Sequence, residues 1–210
     1  MGLPEIAGYA LPARDELPTC RVGWRPDAAA AALLVHDMQG YFVRAFPPRA
    51  APIAPMLANI ARLAAHCRAR GVPVIYSAQP GRQDPRDRGL QGDIWGPGMG
   101  EDGADSDIVA ELAPEPGDLV ITKWRYSAFQ RTTLEPMLRA RGRRQLIVVG
   151  VYAHIGCMLT AADAFMRDIE PFLVADAVAD FSRTRHDAAL AYVADRCGRV
   201  ISTDDLLKIL

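Results

Sequence analysis

The sequence predicts an α/β fold, a doubly wound parallel sheet carried by right-handed helical crossovers. Three observations predict it. Apolar runs of strand length recur along the 210 residues. Helix-periodic stretches separate them, as parallel strands require. Several runs end in residues that carry chemistry, at the carboxyl edge where open α/β sheets bind ligands.

Residues 1–27 are rich in proline and polar side chains and read as an extended surface arm. The first strand is the run Ala30–Val35 in AAALLVHDMQGYF, apolar throughout, as a strand buried on both faces must be. Asp37 closes that run, and a fold has no need of a carboxylate there. The stretch 56–71 places Leu57, Ile60, Leu63, Ala64 and Cys67 at helical spacing and stops at Gly71. VPVIYSAQP is the second strand, with Pro73 near its start, where a missing N–H matters least. Residues 80–104 form a long loop dense in Gly, Pro, Arg and Asp, and Trp95 within it marks an ordered lid. A helix near 105–113 follows, then strand three (118–122) ending at Lys123. A helix near 131–141 leads to strand four (145–149) ending at Gly150, and a helix runs from about 154 to 168. Strand five is PFLVADAV, a helix starts near Thr184, and strand six is GRVISTDDLL, followed by a last helix. With neither an internal repeat nor a linker, 1–210 reads as one domain.

Composition narrows the function. Half the residues are hydrophobic and the net charge is −1. That offers no basic field for nucleic acid and no polybasic membrane patch. No apolar stretch approaches the roughly 20 residues of a membrane span. The N-terminus lacks the basic start and apolar core of a secretion signal. Cys20, Cys67, Cys157 and Cys197 are widely spaced and read as free thiols in a reducing cytoplasm. GPGMG (96–100) does not join a strand to a helix, so it is no dinucleotide fingerprint. Arg143 and Arg144 read as a solvated helix end. Read alone, Asp37 could equally cap a helix, Lys123 could snorkel on the surface, and each aromatic could be core.

The motifs decide among these readings. GVYAHIGCMLTAADAFMRDIEPFLVADAVADFSRTRH (150–186) closely resembles the isochorismatase part of enterobactin-type siderophore synthesis proteins. LLVHDMQGYF, SAQPG, RGL, WGPGM and TKWRYSAF resemble those proteins and also the phenazine-pathway enzyme that hydrolyses 2-amino-2-deoxyisochorismate. The order is kept over nearly the whole chain, which is identified as a member of the isochorismatase-like hydrolase family.

The resemblance implies a Rossmann-like three-layer α/β/α sandwich with a six-stranded parallel sheet. It also implies a homodimer and a non-proline cis peptide near Val151–Tyr152. The implied reaction is hydrolysis of the isochorismate vinyl ether to pyruvate, with the 2-amino analogue as the alternative substrate and no cofactor or metal. Metal-dependent relatives carry Asp-x-His after strand two, where this chain reads SAQPGRQD. Carried over by motif, Asp37 is the acid and Lys123 its charged neighbour. Phe42, Gln79, Arg88, Trp95, Tyr126, Tyr152 and the backbone at Gly156 contact substrate. Cysteine-hydrolase relatives place their nucleophile six residues after the glycine that ends strand four. Here that position is Gly156, with Cys157 about 100° away around the helix, so Cys157 reads as a packed thiol. The bare backbone at Gly156 would open the N–H groups of the helix start to an anion. Siderophore relatives are fused to an aryl carrier domain. This chain ends at Leu210 with no room for one, so it is expected to be either a free-standing enzyme or one excised from a fusion, with a carrier protein in trans as a candidate partner and a non-catalytic carrier-binding module as the competing function class.

Overall fold

The computed structural model describes residues 3–100 and 103–210. Six strands, β1 (Ala31–His36), β2 (Val74–Ala78), β3 (Leu119–Thr122), β4 (Gln145–Val151), β5 (Glu170–Ala179) and β6 (Arg199–Ile201), form one all-parallel sheet. Its order is β3-β2-β1-β4-β5-β6. The chain therefore winds outward from β1 in one direction and then from β4 in the other. The crevice between the carboxyl ends of β1 and β4 is the topological switch point, where ligands bind in open sheets.

β1 and β4 are buried at every position because helices cover both faces. Leu33, Val35, Ile147 and Val149 point to one side, against Met56, Ile60 and Leu63 of α2 (Ile53–Ala69) and Leu206 of α9 (Thr203–Ile209). Ala32, Leu34, Leu146 and Val148 point to the other side. There they meet Leu138 of α6 (Leu134–Ala140), Ala161 of α7 (Met158–Phe165) and Val193 of α8 (Arg183–Arg196). Each leucine or isoleucine so buried contributes about 1.5–3 kcal/mol. α2 ends as expected, with Gly71 at φ 66° and Val72 N–H closing on the Cys67 carbonyl at 2.9 Å.

Several expectations need correction. The loop 80–104 contains two short helices, α3 (Pro85–Arg88) and α4 (Gln91–Trp95), besides α1 (Gly40–Val43) earlier in the chain. Its residues 101 and 102 lie outside the described residues, as do residues 1 and 2 of the arm. The helix expected over 105–113 is only α5 (Gly103–Ser106) and a 3-10 turn at Ala110–Leu112. Ile108 bridges Gln39 antiparallel, and Val109 N–H bonds the Met38 carbonyl at 3.0 Å, so the backbone here is spent on extended pairing. β4 continues past Gly150 to Val151. The helix expected from 154 opens as a π-helical turn, Ala153–Cys157, and is regular only from Met158. Strand six stops at Ile201, because Ser202 caps α9 by accepting the Asp205 N–H. Arg143 is no solvated end: its Nη1 donates to the Ala28 and Ala29 carbonyls at 2.7 and 2.8 Å.

Residues 3–27 carry one 3-10 turn, Arg14–Glu16. Tyr9 anchors this arm by accepting the Asp180 N–H at 2.7 Å and meeting His186 Nδ1 at 3.2 Å. The Val151–Tyr152 peptide is cis. Among the described residues no helix is long and apolar enough to cross a membrane.

Candidate active site

Three neighbouring strand ends build the polar half of the site. Asp37 follows β1 at φ 50°, a conformation that L residues adopt at a cost and that clusters at functional sites. Ser77 in β2 donates to Asp37 Oδ1 at 2.7 Å, and Gln79 Nε2 donates to Oδ2 at 2.9 Å. Lys123 follows β3, and its Nζ lies 2.8 Å from Asp37 Oδ2. Its backbone N–H is held by the Ala78 carbonyl at 2.9 Å. Gln39 fixes Gln79 in turn: it accepts the Gln79 N–H and donates to the Gln79 carbonyl, both at 2.8 Å. Asp37 and Lys123 are 3% and 1% exposed, so their charges answer to each other and not to water. Burial pushes the Asp37 carboxyl up. The Lys123 ammonium, with the Ser77 hydrogen bond, outweighs it and holds the group below the usual carboxylate value.

The other half is aromatic. Trp95 of α4 stacks on Phe181 at 6.1 Å, and Phe181 stacks on Tyr152 at 4.3 Å between ring centroids. Trp95 Nε1 donates to the Tyr126 hydroxyl at 2.7 Å, and the Tyr152 hydroxyl donates to the Phe42 carbonyl at 2.9 Å. Arg88 of α3 is 8% exposed. It donates to the Gly96 carbonyl at 3.0 Å and packs on Gly98, where a Cβ would stand 2.9 Å from its Cζ. Burial lowers its pKa, and among the described residues the ionisable groups acting on it are the phenols of Tyr41 and Tyr126. A buried cation without a carboxylate partner is half of an ion pair, and an anionic ligand would complete it.

One cavity at the switch point brings together Asp37, Lys123, Phe42, Gln79, Arg88, Trp95, Tyr126, Tyr152 and Gly156. Its walls also hold His36, which the sequence places beside the site with a hydrogen-bonding or packing role, and residues that the sequence did not single out: Tyr41, Gln91, Phe181 and Leu3 of the arm. Phe181 was within reach of the rule that found Asp37, since it lies just beyond a strand's carboxyl end. The others carry no signal in sequence. Among the described residues no group of three His, Cys, Asp or Glu side chains converges as a metal site would.

Several N–H groups around Gly156, at the helix start expected to cradle an anion, are already spent. The Ile155 and Cys157 N–H groups already bond the Tyr152 carbonyl at 3.1 and 3.3 Å, and the His154 N–H bonds Asp180. Cys157 is fully buried in the core on the α6–α8 face and does not line the cavity. Burial raises its thiol well above the ordinary value, which makes it inert. Cys157→Ala should therefore keep most of the turnover. Loss of turnover in a variant that melts like the parent would return the thiol to the chemistry.

An ion-paired carboxylate lies at the switch point of a three-layer α/β sandwich, in one cavity with a buried arginine that has no carboxylate partner among the described residues, and this is the arrangement of an active site for an anionic substrate. The comparisons agree. Residues 31–205 match the family model described as the isochorismatase domain. An isochorismatase of Bacillus subtilis (strain 168) is 52% identical over 210 residues, spanning 100% of this chain and 67% of that protein. Enterobactin synthase component B of Escherichia coli (strain K12) is 50% identical over 99% of this chain and 73% of its own length. Phenazine biosynthesis protein PhzD1 of Pseudomonas aeruginosa is 49% identical over 99% of both. Among solved structures, a cysteine hydrolase from Pseudomonas syringae pv. phaseolicola 1448A superposes with a TM-score of 0.80 at 27% identity, over 91% of this chain and 96% of that one. The chain belongs to the isochorismatase family and is a hydrolase.

Proposed function

We propose that the cavity hydrolyses the vinyl ether of isochorismate, releasing pyruvate and 2,3-dihydro-2,3-dihydroxybenzoate. The carrying observation is the charge pattern: one buried carboxylate held by Lys123, Gln79 and Ser77, and one buried cation, Arg88, with no carboxylate partner among the described residues. Isochorismate is a dicarboxylate, so its anionic groups match Arg88 and Lys123. The B. subtilis relative is named an isochorismatase, which supports the same substrate.

The chemistry needs an acid and no nucleophile. Asp37 delivers a proton to the terminal methylene carbon, which leaves an oxocarbenium ion on the ether carbon. Water adds there and returns a proton to Asp37. The resulting hemiketal collapses, breaking the bond to the ring oxygen. In the empty site Asp37 is a carboxylate, so it must gain its proton as substrate binds. The substrate's negative charge does this in two ways. It repels the carboxylate, and it draws Lys123 away from it. Exclusion of water strengthens both effects. Trp95, Tyr152 and Phe181 line this cavity, and these aromatic walls would keep water from a bound substrate.

Isochorismate should be preferred to 2-amino-2-deoxyisochorismate, with both accepted. Among the described residues Asp37 is the one carboxylate lining the cavity and is already bonded to Lys123, so none of them offers a dedicated partner to an ammonium group. A pocket that merely tolerates a group discriminates weakly. Pyruvate release on the two compounds in parallel decides it. A preference for the amino compound above about a thousandfold in kcat/KM, some 4 kcal/mol, would reverse the order and place the chain with the phenazine-type relatives. No pyruvate from either would refute the ether hydrolase itself. The exposed Leu90, Ile94, Leu159 and Met166 are the apolar surface that the homodimer implied by the resemblance would bury.

A further inference from the structure

Gly156 and His36 meet at the wall of the cavity. A Cβ on Gly156 would stand 2.8 Å from His36 Nε2 and 3.0 Å from Nδ1, and closer still to Cε1. Side chains do not tolerate such an approach unless the neighbour gives way, and His36 is poorly placed to do so. It is the last residue of β1 and 1% exposed. Its Nδ1 donates to the Val151 carbonyl at 2.9 Å. Its backbone lies against Gly150, where a Cβ would stand 2.9 Å from the His36 nitrogen. Burial drives its pKa down to about 4, so the ring is neutral and adds no charge beside Asp37 Oδ1, 3.8 Å from Nδ1. The Tyr126 backbone also acts on the ring, and the ring itself forms part of the cavity wall.

The resemblance to cysteine hydrolases implies a nucleophile in those relatives at the place of position 156. Asp37 and Lys123, the groups that could activate one, line the same cavity. We propose that His36 sets the reaction class of this site. Its imidazole occupies the volume that a nucleophilic side chain at 156 needs, which leaves the Asp37–Lys123 pair proton transfer as its only task. The proposal rests on the ether-hydrolase reading above. His36 acts as a specificity-determining residue by shape and is not itself a catalytic group.

A stability cycle and a labelling experiment test it. The proteins are the parent, His36→Val, Gly156→Cys and the double variant; valine keeps the strand preference of β1. Gly156→Cys should melt well below the parent. Although His36→Val alone also destabilises, adding it to Gly156→Cys should raise the melting temperature, a reversal that independent sites cannot give. In the folded double variant, the introduced thiol beside Lys123 should take iodoacetamide at least about tenfold faster than Cys157 does. With p-nitrophenyl acetate it should give a burst of one p-nitrophenolate per site. The thiolate adds to the ester carbonyl, p-nitrophenolate leaves, and an acyl thioester stays on the enzyme, visible by mass. Should the cysteine variants not fold, Gly156→Ala with and without His36→Val runs the same cycle on a smaller side chain. Glycine-substituted proteins that melt like the parent, or double variants no more stable than their glycine-substituted parents, overturn the proposal. Equal labelling of the introduced thiol with and without His36 overturns it as well. Pyruvate release by the unaltered enzyme is a separate readout, so failure of the ether-hydrolase reading cannot be confused with failure of the cycle.

Discussion

Asp37→Asn should lower pyruvate release by about 10²- to 10⁴-fold, the usual worth of a general acid, while leaving substrate binding largely intact. Asparagine keeps the shape of aspartate and can still accept from Ser77 and Lys123, the partners that hold the carboxylate now. It has no proton to give to carbon. Single-turnover measurement separates the two effects, because binding persists when the chemical step is lost. Turnover near the parent rate in the purified variant would remove Asp37 from the mechanism and leave Lys123 as the remaining charged candidate at the sheet edge.

Lys123→Met should reverse the pH dependence of stability at this site. In the parent, the folded Asp37 lies below its unfolded value near 3.8. Its contribution is therefore present above that value and is lost as pH falls through the folded value. Without the ammonium, burial dominates and raises the folded carboxyl above the unfolded value. The variant is then at its best in acid, and it loses stability as pH climbs from the unfolded value towards the new folded one. An uncompensated buried charge costs about 3–5 kcal/mol, so the gap in melting temperature between parent and variant should widen from pH 4 to pH 8. A gap that stays constant over that range would mean that Lys123 does not govern Asp37.

The parts that were legible in sequence are those that local composition dictates. β1 and β4 are buried on both faces, so they must be apolar throughout, and the carboxylate that ends the first run stands out against that background. The same reasoning found Lys123 at the end of β3. The remaining contacts were assigned through motif likeness, and the structure brings those side chains around one cavity. The illegible parts depend on tertiary contact. Ser77 is an ordinary small polar residue until β2 is set beside β1 in the register that pairs it with His36. The missing helix near 105–113 has adequate helical character, but its backbone is claimed by residues 38–40, far away in sequence. The fit between Gly156 and His36 joins positions 120 residues apart that only the β1–β4 pairing brings together. Sequence periodicity does not distinguish a π turn from an α turn, so the N–H groups of residues 154, 155 and 157, which the structure shows bonded, read as open ones at a helix start.

The site divides into two parts with different anchors. Asp37, Ser77, Gln79 and Lys123 are placed by the ladder of β1, β2 and β3, so their spacing is inherited from the sheet. Arg88 and Trp95 ride on α3 and α4, short helices between β2 and β3 that touch the acid only across the cavity. The spacing of the acid and the grip on the substrate are therefore set by different elements. Under the proposed function, changes confined to residues 85–99 alter which diacid is held, while the sheet keeps the Asp37–Lys123 spacing. Drift in that segment alone gives a lineage a route from one enolpyruvyl compound to another while the reaction stays the same.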